Sequence, residues 1–221
     1  MKKLLVTAAL AGLVGTVNAQ SAFEGAYTQL GIGYESVSSK DKGGTFTATG
    51  GSSATLTRNL SNSNGFSGAV GLGYTASITN TYTLGFGAEY YPIGSQNAGY
   101  TFVTGNTSGT GKWNKVNAYN IFLSPGVVLN KDSLAYAKIG YTGAQGKSNV
   151  TGSSSNTTNH NGYSLGLGYK QIIKGGLYGF AEGNYFNYLD KTSTTVNSTG
   201  SSTTKTGLSS YNFLVGVGYR F

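Results

Sequence analysis

The sequence has 221 residues, only 10% of them charged, and its 15 Lys and Arg against 7 Asp and Glu give a formal net charge of +8. This charge content lies far below the roughly 25% of soluble globular domains and argues against an ordinary water-exposed surface. The 36 Gly occur with only 2 Pro and no Cys, which excludes a collagen-like repeat, a disulfide scaffold and a thiolate metal site.

The first residues have the pattern of a secretory signal peptide. Met1-Lys2-Lys3 is basic, residues 4–17 are apolar or small, and small residues precede Gln20. The pattern predicts a signal peptide over residues 1–19 that is cleaved between Ala19 and Gln20. The exported chain keeps 13 basic and 7 acidic residues, a net charge of +6. Beyond this segment no apolar stretch approaches the roughly 20 residues of a membrane-spanning helix, which excludes a helical membrane protein.

From Ala22 onward, apolar and aromatic residues alternate with small or polar ones, which is the period-two pattern of β-strands. Eight such stretches follow one another. Each is long enough for the roughly 9 to 11 tilted residues with which a β-strand crosses an outer membrane. The predicted strands cover residues 22–37, 65–78, 82–94, 114–129, 133–146, 162–173, 177–190 and 207–221.

The connections between these strands alternate strictly between long and short. The short ones centre on residues 79–81, 130–132 and 174–176, and the long ones are rich in Ser, Thr, Asn and Gly. This order is typical of an up-and-down meander in which all long loops lie at one end of the molecule. The predicted long outer loops cover about residues 38–64, 95–113, 147–161 and 191–206.

The last strand shows that the two faces of the strands differ. Alternation alone fits a soluble β-sandwich equally well. The face opposite the aromatic one decides between them, because it carries mainly Gly, Ser and Asn instead of the charged residues of a water-exposed sheet. We therefore predict an all-β fold over residues 20–221, a closed eight-stranded antiparallel up-and-down transmembrane β-barrel. Its last strand turns six residues toward lipid: Tyr211, Phe213, Val215, Val217, Tyr219 and Phe221.

Six charged residues fall at inward positions of the predicted strands, and their charges sum to zero. A buried charge without a partner is costly, whereas opposite charges can pair. We expect Glu182 to pair with Lys138 or Lys170, and Glu89 and Arg220 to join the same network. The interior is then either a filled plug or a narrow gated path for solutes, since eight strands enclose little space. The six residues are Glu35, Glu89, Lys138, Lys170, Glu182 and Arg220.

The net charge of +6 is assigned to the outer-loop end of the predicted barrel. Eight basic residues there stand against Asp41 and Asp190: Lys40, Lys42, Arg58, Lys112, Lys115, Lys147, Lys191 and Lys205. This rim either attracts lipopolysaccharide phosphates or another anionic surface ligand, or is a solvated scatter of charge without a partner. Nucleic acid is not an expected partner, because the sequence offers neither a basic helix nor a stacking sheet.

The sequence gives little support for catalysis or metal binding. Its one histidine, His160, lies in the third long loop. A catalytic triad would need a hydroxyl and a carboxylate beside it, for which Ser164 and Asp190 are the candidates. Hydroxyl residues are so plentiful here that their proximity carries no information. One histidine and few loop carboxylates cannot supply the ligands of a metal site. We predict no enzymatic activity, no metal and no cofactor.

With its signal peptide, eight alternating strands, long outer loops and terminal Tyr219-Arg220-Phe221, the chain resembles the small outer-membrane β-barrels. That family includes the transmembrane domain of outer membrane protein A and the opacity-type porin-like proteins. Gly216, Tyr219 and Phe221 match the signal that the barrel assembly machinery reads in such proteins, although Leu214 stands where a polar residue is usual.

The resemblance implies a monomer in the outer membrane of a Gram-negative bacterium, surrounded by lipid and lipopolysaccharide. It also implies a structural or surface-interaction role: envelope integrity, adhesion or contact with a host molecule through the polar loops. The alternative within the same family is a narrow porin-like channel for small solutes. The fold alone does not choose between them.

Overall fold

The computed structural model describes residues 21–150 and 155–221, so the predicted signal peptide and its cleavage site lie outside the described residues. The described ranges contain ten β-strands. In this part of the chain no helix is long and apolar enough to span a membrane. The strands are β1 (Gly25–Ala48), β2 (Ser53–Leu60), β3 (Ser63–Ser77), β4 (Tyr82–Tyr91), β5 (Ala98–Thr104), β6 (Thr107–Asn130), β7 (Ser133–Val150), β8 (Asn156–Lys174), β9 (Leu177–Asn197) and β10 (Gly200–Arg220).

Eight of these strands form a closed antiparallel ring in the order β1, β3, β4, β6, β7, β8, β9 and β10. The ring closes because β10 pairs back with β1, from Tyr27 opposite Arg220 to Ala48 opposite Gly200. Closure leaves no unpaired strand edge in the ring, which is the requirement for a sheet that meets lipid. The predicted all-β, eight-stranded up-and-down barrel is confirmed.

The outer face of the ring is apolar. On β10, Phe213, Val215 and Val217 are exposed, while Asn212 and Leu214 on the opposite face are buried inside. The same alternation on β8 exposes Tyr163 and Tyr169 at the two ends of its apolar face. A water-soluble monomer rarely exposes so large an apolar surface, and aromatic residues at both borders are typical of a lipid-facing belt.

The other two strands lie in segments that the sequence predicted as long loops. β2 pairs with β1 and β5, and β5 pairs with β6, so this pair of strands carries the wall outward beyond β3 and β4. Thr is common in these segments, and β-branched residues favour strands even where the sequence is polar. All four predicted outer loops are therefore largely strand within the described residues. Those around 38–64 and 95–113 contain the hairpin strands, and those around 147–161 and 191–206 contain the outer ends of β7 to β10.

Bulges on β6 and β9 change which side chains point inward along these two strands. On β6 the pairing with β7 shifts between Val116 and Tyr119, and Asn117 there has a positive φ of 50°. On β9, Leu189 and Asp190 both stand opposite Gly207. An extra residue reverses which side chains point inward beyond it. In the outer halves of β6 and β9, the inward-pointing side chains are therefore the opposite set of alternate residues from that in the membrane-spanning halves.

Candidate functional site

A buried ionic network crosses the interior at the level of the apolar belt. The Lys138 ammonium donates to Glu89 Oε1 at 2.6 Å and to Glu182 Oε2 at 3.1 Å. The remaining carboxylate oxygens accept hydrogen bonds from Tyr91 at 3.0 Å and Tyr136 at 2.6 Å. Each buried carboxylate is thus both charge-compensated and hydrogen-bonded, which is the condition for a stable buried network.

A second pair, Lys115 and Glu35, lies buried farther outward. The sequence assigned Lys115 to an outer loop. The β6 bulge places it inside instead, because the phase change at Asn117 turns Trp113 and Lys115 inward on one side and Ala118 inward on the other. A strict period-two count cannot detect this inward lysine.

Two of the six predicted interior residues have other surroundings. Lys170 Nζ lies 3.9 Å from the ring centroid of Tyr27 and 4.9 Å from that of Tyr178, so aromatic faces surround its charge. Arg220 stands apart from the network, and its Nη1 donates to the carbonyl oxygen of Glu24 at 3.0 Å near the turn end. With Lys115 in place of Arg220 the inner charges still cancel: Glu35, Glu89 and Glu182 against Lys115, Lys138 and Lys170.

The predicted assembly residues occupy both faces of β10. Tyr219 and Phe221 are exposed on the outer face, with their rings 5.3 Å apart in an edge-on contact. Gly216 points inward, where a Cβ would collide with the carbonyl oxygen of Leu30 and approach the Phe180 ring to 2.7 Å. The aromatic side chains are accessible to another protein, and their role in assembly stays a prediction.

Outward of the Lys115–Glu35 pair, the barrel is hollow. A cavity of about 890 Å³ extends to the hairpin tips, where Ala48, Ser52 and Thr199 line it. One wall is apolar and contributed mainly by the two additional strands. Its larger side chains are Leu56, Leu60, Tyr100, Phe102 and Trp113.

The opposite wall of the cavity carries two basic side chains on neighbouring strands. His160 on β8 is only 6% exposed, and its Nδ1 has no hydrogen-bond partner within the described ranges. Lys191 on β9 lines the same wall because the bulge at Leu189 and Asp190 turns it inward. Burial, and then the positive charge of Lys191, lower the pKa of His160 below its usual value.

The backbone pairing of β8 and β9 stops just below these two residues, at Gly162 opposite Tyr188. Farther out, Asn156 Nδ2 donates across the seam to Thr195 Oγ1 at 3.3 Å. The two strand segments therefore lie beside each other without a continuous ladder of backbone hydrogen bonds. His160 and Lys191 lie along this seam.

The structure does not bring Ser164 and Asp190 together with His160 as a catalytic triad. Ser164 Oγ donates to Asn120 Oδ1 at 2.7 Å, and Asp190 Oδ2 lies 3.4 Å from Lys205 Nζ. Both potential partners of His160 thus have contacts of their own. Over residues 21–150 and 155–221, no group of three or more His, Cys, Asp or Glu side chains is placed to hold a metal ion.

Among solved structures, the outer membrane protein OprG from Pseudomonas aeruginosa matches with 10% identity over 92% of this chain and 98% of that chain, at a TM-score of 0.62. The outer membrane protease OmpT from Escherichia coli matches with 11% identity over 90% and 97%, at 0.51. Ail, the attachment invasion locus protein of Yersinia pestis, matches with 13% identity over 89% and 99%, at 0.47. At such identities the likeness to OprG and OmpT concerns the fold alone.

A comparison with curated proteins found no match. A family model described as "Outer membrane protein beta-barrel domain" matches residues 5–221, nearly the whole sequence. The match agrees with the closed ring of strands, the apolar outer belt and the charge-compensated interior. Hence the chain belongs to the outer membrane protein β-barrel domain family.

Proposed function

We propose that this protein is a non-enzymatic surface-binding barrel of the outer membrane. Its membrane-spanning part has no open path for solutes, and its outer end binds a partner. The proposal rests on how the interior changes along the barrel axis, from buried ionic clusters at the level of the membrane to a cavity at the outer end. A cavity of about 890 Å³ lies on the outer side of two buried ionic clusters. The narrow porin-like channel is the alternative.

The inner clusters oppose a through path. A solute passing the belt would have to separate Lys138 from Glu89 and Glu182, whose side chains are almost entirely inaccessible. Separating a buried ion pair leaves uncompensated charge at low dielectric, which is strongly unfavourable. The packed rings of Tyr91 and Phe186, 5.7 Å apart, fill the interior near the Lys115–Glu35 pair.

The outer surface suits contact with the envelope. Its apolar belt fits lipid, and exposed lysines beyond the belt fit lipopolysaccharide phosphates or another anionic surface partner. Within this role the protein acts as a monomer, is exported by cleavage between Ala19 and Gln20, and is inserted by the barrel assembly machinery through Gly216, Tyr219 and Phe221. Envelope support, adhesion and host contact are all compatible with such a surface.

Site-directed thiol labelling tests the proposed order of the interior, and the absence of native Cys leaves no background. Ser202→Cys places a thiol in the outer cavity, whereas Ser67→Cys places one in the buried interior. A membrane-impermeant maleimide should label intact cells that carry the first variant and leave the second unlabelled. Labelling of Ser67→Cys, or none of Ser202→Cys, would overturn the proposal.

Planar-bilayer conductance tests the channel alternative directly. Purified protein should show no openings under conditions in which a general porin conducts. Regular openings of the wild-type protein that disappear with heat-unfolded material would establish a channel and contradict the closed barrel.

A further inference from the structure

The outer cavity has the chemistry of an amphiphile site. Its apolar wall offers Leu56, Phe102 and Trp113, and it is large enough for a chain or ring of ordinary ligand size. Polar lining is supplied mainly by Ser and Thr hydroxyls. A purely hydrophilic ligand would leave the apolar wall unused.

The charges of the cavity are arranged for an anion. The lining set contains Arg58, Lys147, His160 and Lys191 and no carboxylate within the described ranges. Arg58 is already neutralised, since it donates to Asp41 Oδ1 from Nη2 at 2.9 Å and from Nε at 3.2 Å. The available positive charge therefore lies at the β8–β9 seam and beside it.

Besides the apolar wall and the positive charge, the cavity wall contains a buried polar atom without a hydrogen-bond partner among the described residues, Nδ1 of His160. This atom is shielded from solvent. A buried polar group without a partner is costly. Because this nitrogen is shielded, the imidazole must rotate for a ligand in the cavity to accept a hydrogen bond from it, and that bond would remove the cost. Lys191, aimed into the same cavity by its bulge, adds charge for the same ligand group.

We propose that the cavity binds an amphipathic organic anion, with its anionic group between His160 and Lys191 and its apolar part against Trp113 and Phe102. This inference rests on the proposed function, because it needs a cavity that is reachable from outside. It deepens that function by naming the ligand class: a carboxylate, sulfonate or phosphate monoester on an apolar chain or ring. A neutral apolar compound would contact only the apolar wall, and a hydrophilic anion would contact only His160 and Lys191.

The single tryptophan of the chain, Trp113, makes the proposal measurable, because it lines the cavity. Its Nε1 donates to the carbonyl oxygen of Ser61 at 3.2 Å, which fixes the ring in the wall. Bromine on a bound chain quenches tryptophan fluorescence at contact. The probes are ω-bromooctane sulfonate and its uncharged counterpart, ω-bromooctanol, titrated into protein in nanodiscs of neutral lipid.

We expect the sulfonate to quench Trp113 saturably and at lower concentration than the alcohol. Simple partition into lipid would give the opposite order, because the alcohol enters lipid more readily. Lys191→Gln should raise the half-saturating sulfonate concentration about tenfold, as expected for loss of a charge-assisted contact. Lys112→Gln removes an exposed charge outside the cavity lining and should leave the titration unchanged.

Each outcome of the titration decides the proposal. Equal quenching by alcohol and sulfonate, or an unchanged sulfonate titration in both Lys191→Gln and His160→Gln, overturns recognition of the anion. If Ser202→Cys is still labelled, the outward-facing cavity and the proposed function stand. No quenching by either probe together with no labelling of Ser202→Cys removes both proposals. Heat-dependent gel mobility verifies that each variant is folded.

Discussion

Lys138 Nζ lies 2.6 Å from Glu89 Oε1 in the middle of the barrel, and both side chains are only 1% exposed. The pair is the centre of the membrane-level interior, because Lys138 also contacts Glu182.

Lys138→Met should destabilise the barrel strongly. The substitution leaves Glu89 and Glu182 without their shared cation, and removal of one partner from a buried ionic group costs about 3–5 kcal/mol. The measurement is urea unfolding of protein refolded into lipid vesicles. The matched control replaces all three charges, Lys138→Met with Glu89→Gln and Glu182→Gln, and should regain most of the loss. A single variant as stable as the wild type would contradict the network.

Gly216→Ala should also destabilise the barrel, for a steric reason. The new methyl group would press on the backbone carbonyl of Leu30 and on the Phe180 ring. Overpacking of this kind costs about 1–3 kcal/mol. Gly99→Ala is the control, because a Cβ there meets open space, and its unfolding free energy should change by no more than about 0.5 kcal/mol. Equal unfolding free energies for the two variants would contradict the predicted clash.

Phe221→Ala should lower the amount of protein in the outer membrane more than it lowers intrinsic stability. Phe221 is 74% exposed and contacts Tyr219 at the end of β10, so its loss removes little packing. Phe213→Ala is the comparison, since this residue is also exposed on the same face of β10. Quantitative immunoblots of outer-membrane fractions should show a deficit for Phe221→Ala alone, while both variants refold in vitro. Equal membrane levels would argue against the assembly role.

Sulfonate quenching of Trp113 should strengthen as the pH falls from about 7.5 to about 5.5, across the usual titration range of histidine. In the free protein the His160 pKa is lowered by burial and by Lys191, so the imidazole is neutral at the upper end. Protonation at lower pH adds a positive charge beside the anion, and by linkage the bound anion raises the His160 pKa. The sulfonate itself stays ionised throughout.

The charged groups around that imidazole limit what else could cause such a pH response. They are Lys191 on β9, Lys147 on β7 and the Arg58–Asp41 pair farther along the wall. In His160→Gln the quenching should therefore become nearly independent of pH, and a persistent rise in that variant would assign the response to another group.

Most of the membrane-spanning part could be predicted from the sequence, because one residue in two meets lipid and the pattern is regular. Phe213, Val215 and Val217 were placed on the correct face by counting alone. The outer part could not be read in this way. Lys115 and Lys191 both lie beyond bulges, and an extra residue in one strand reverses the face of everything that follows it.

The two additional strands escaped detection for a different reason. β2 forms a short hairpin with β1, and β5 forms one with β6, within segments that are rich in Ser, Thr, Asn and Gly. The pairing of β2 with β5 joins segments that are distant in sequence. His160 could be singled out in the sequence as the only histidine. Its place in a basic cavity wall could not be predicted, because that depends on Lys191, which the β9 bulge turns inward. The cavity itself arises from the hairpins that form its walls, and no linear motif describes it.

Closure between β1 and β10 has a consequence for biogenesis. The seam that completes the ring joins the first strand of the chain to the last, so it can form only after residue 220 is available. Until then two long strand edges remain unpaired, and such edges readily join other chains. Correct maturation thus depends on keeping the incomplete sheet isolated during transit, and shortening β10 would favour intermolecular pairing over the intended ring.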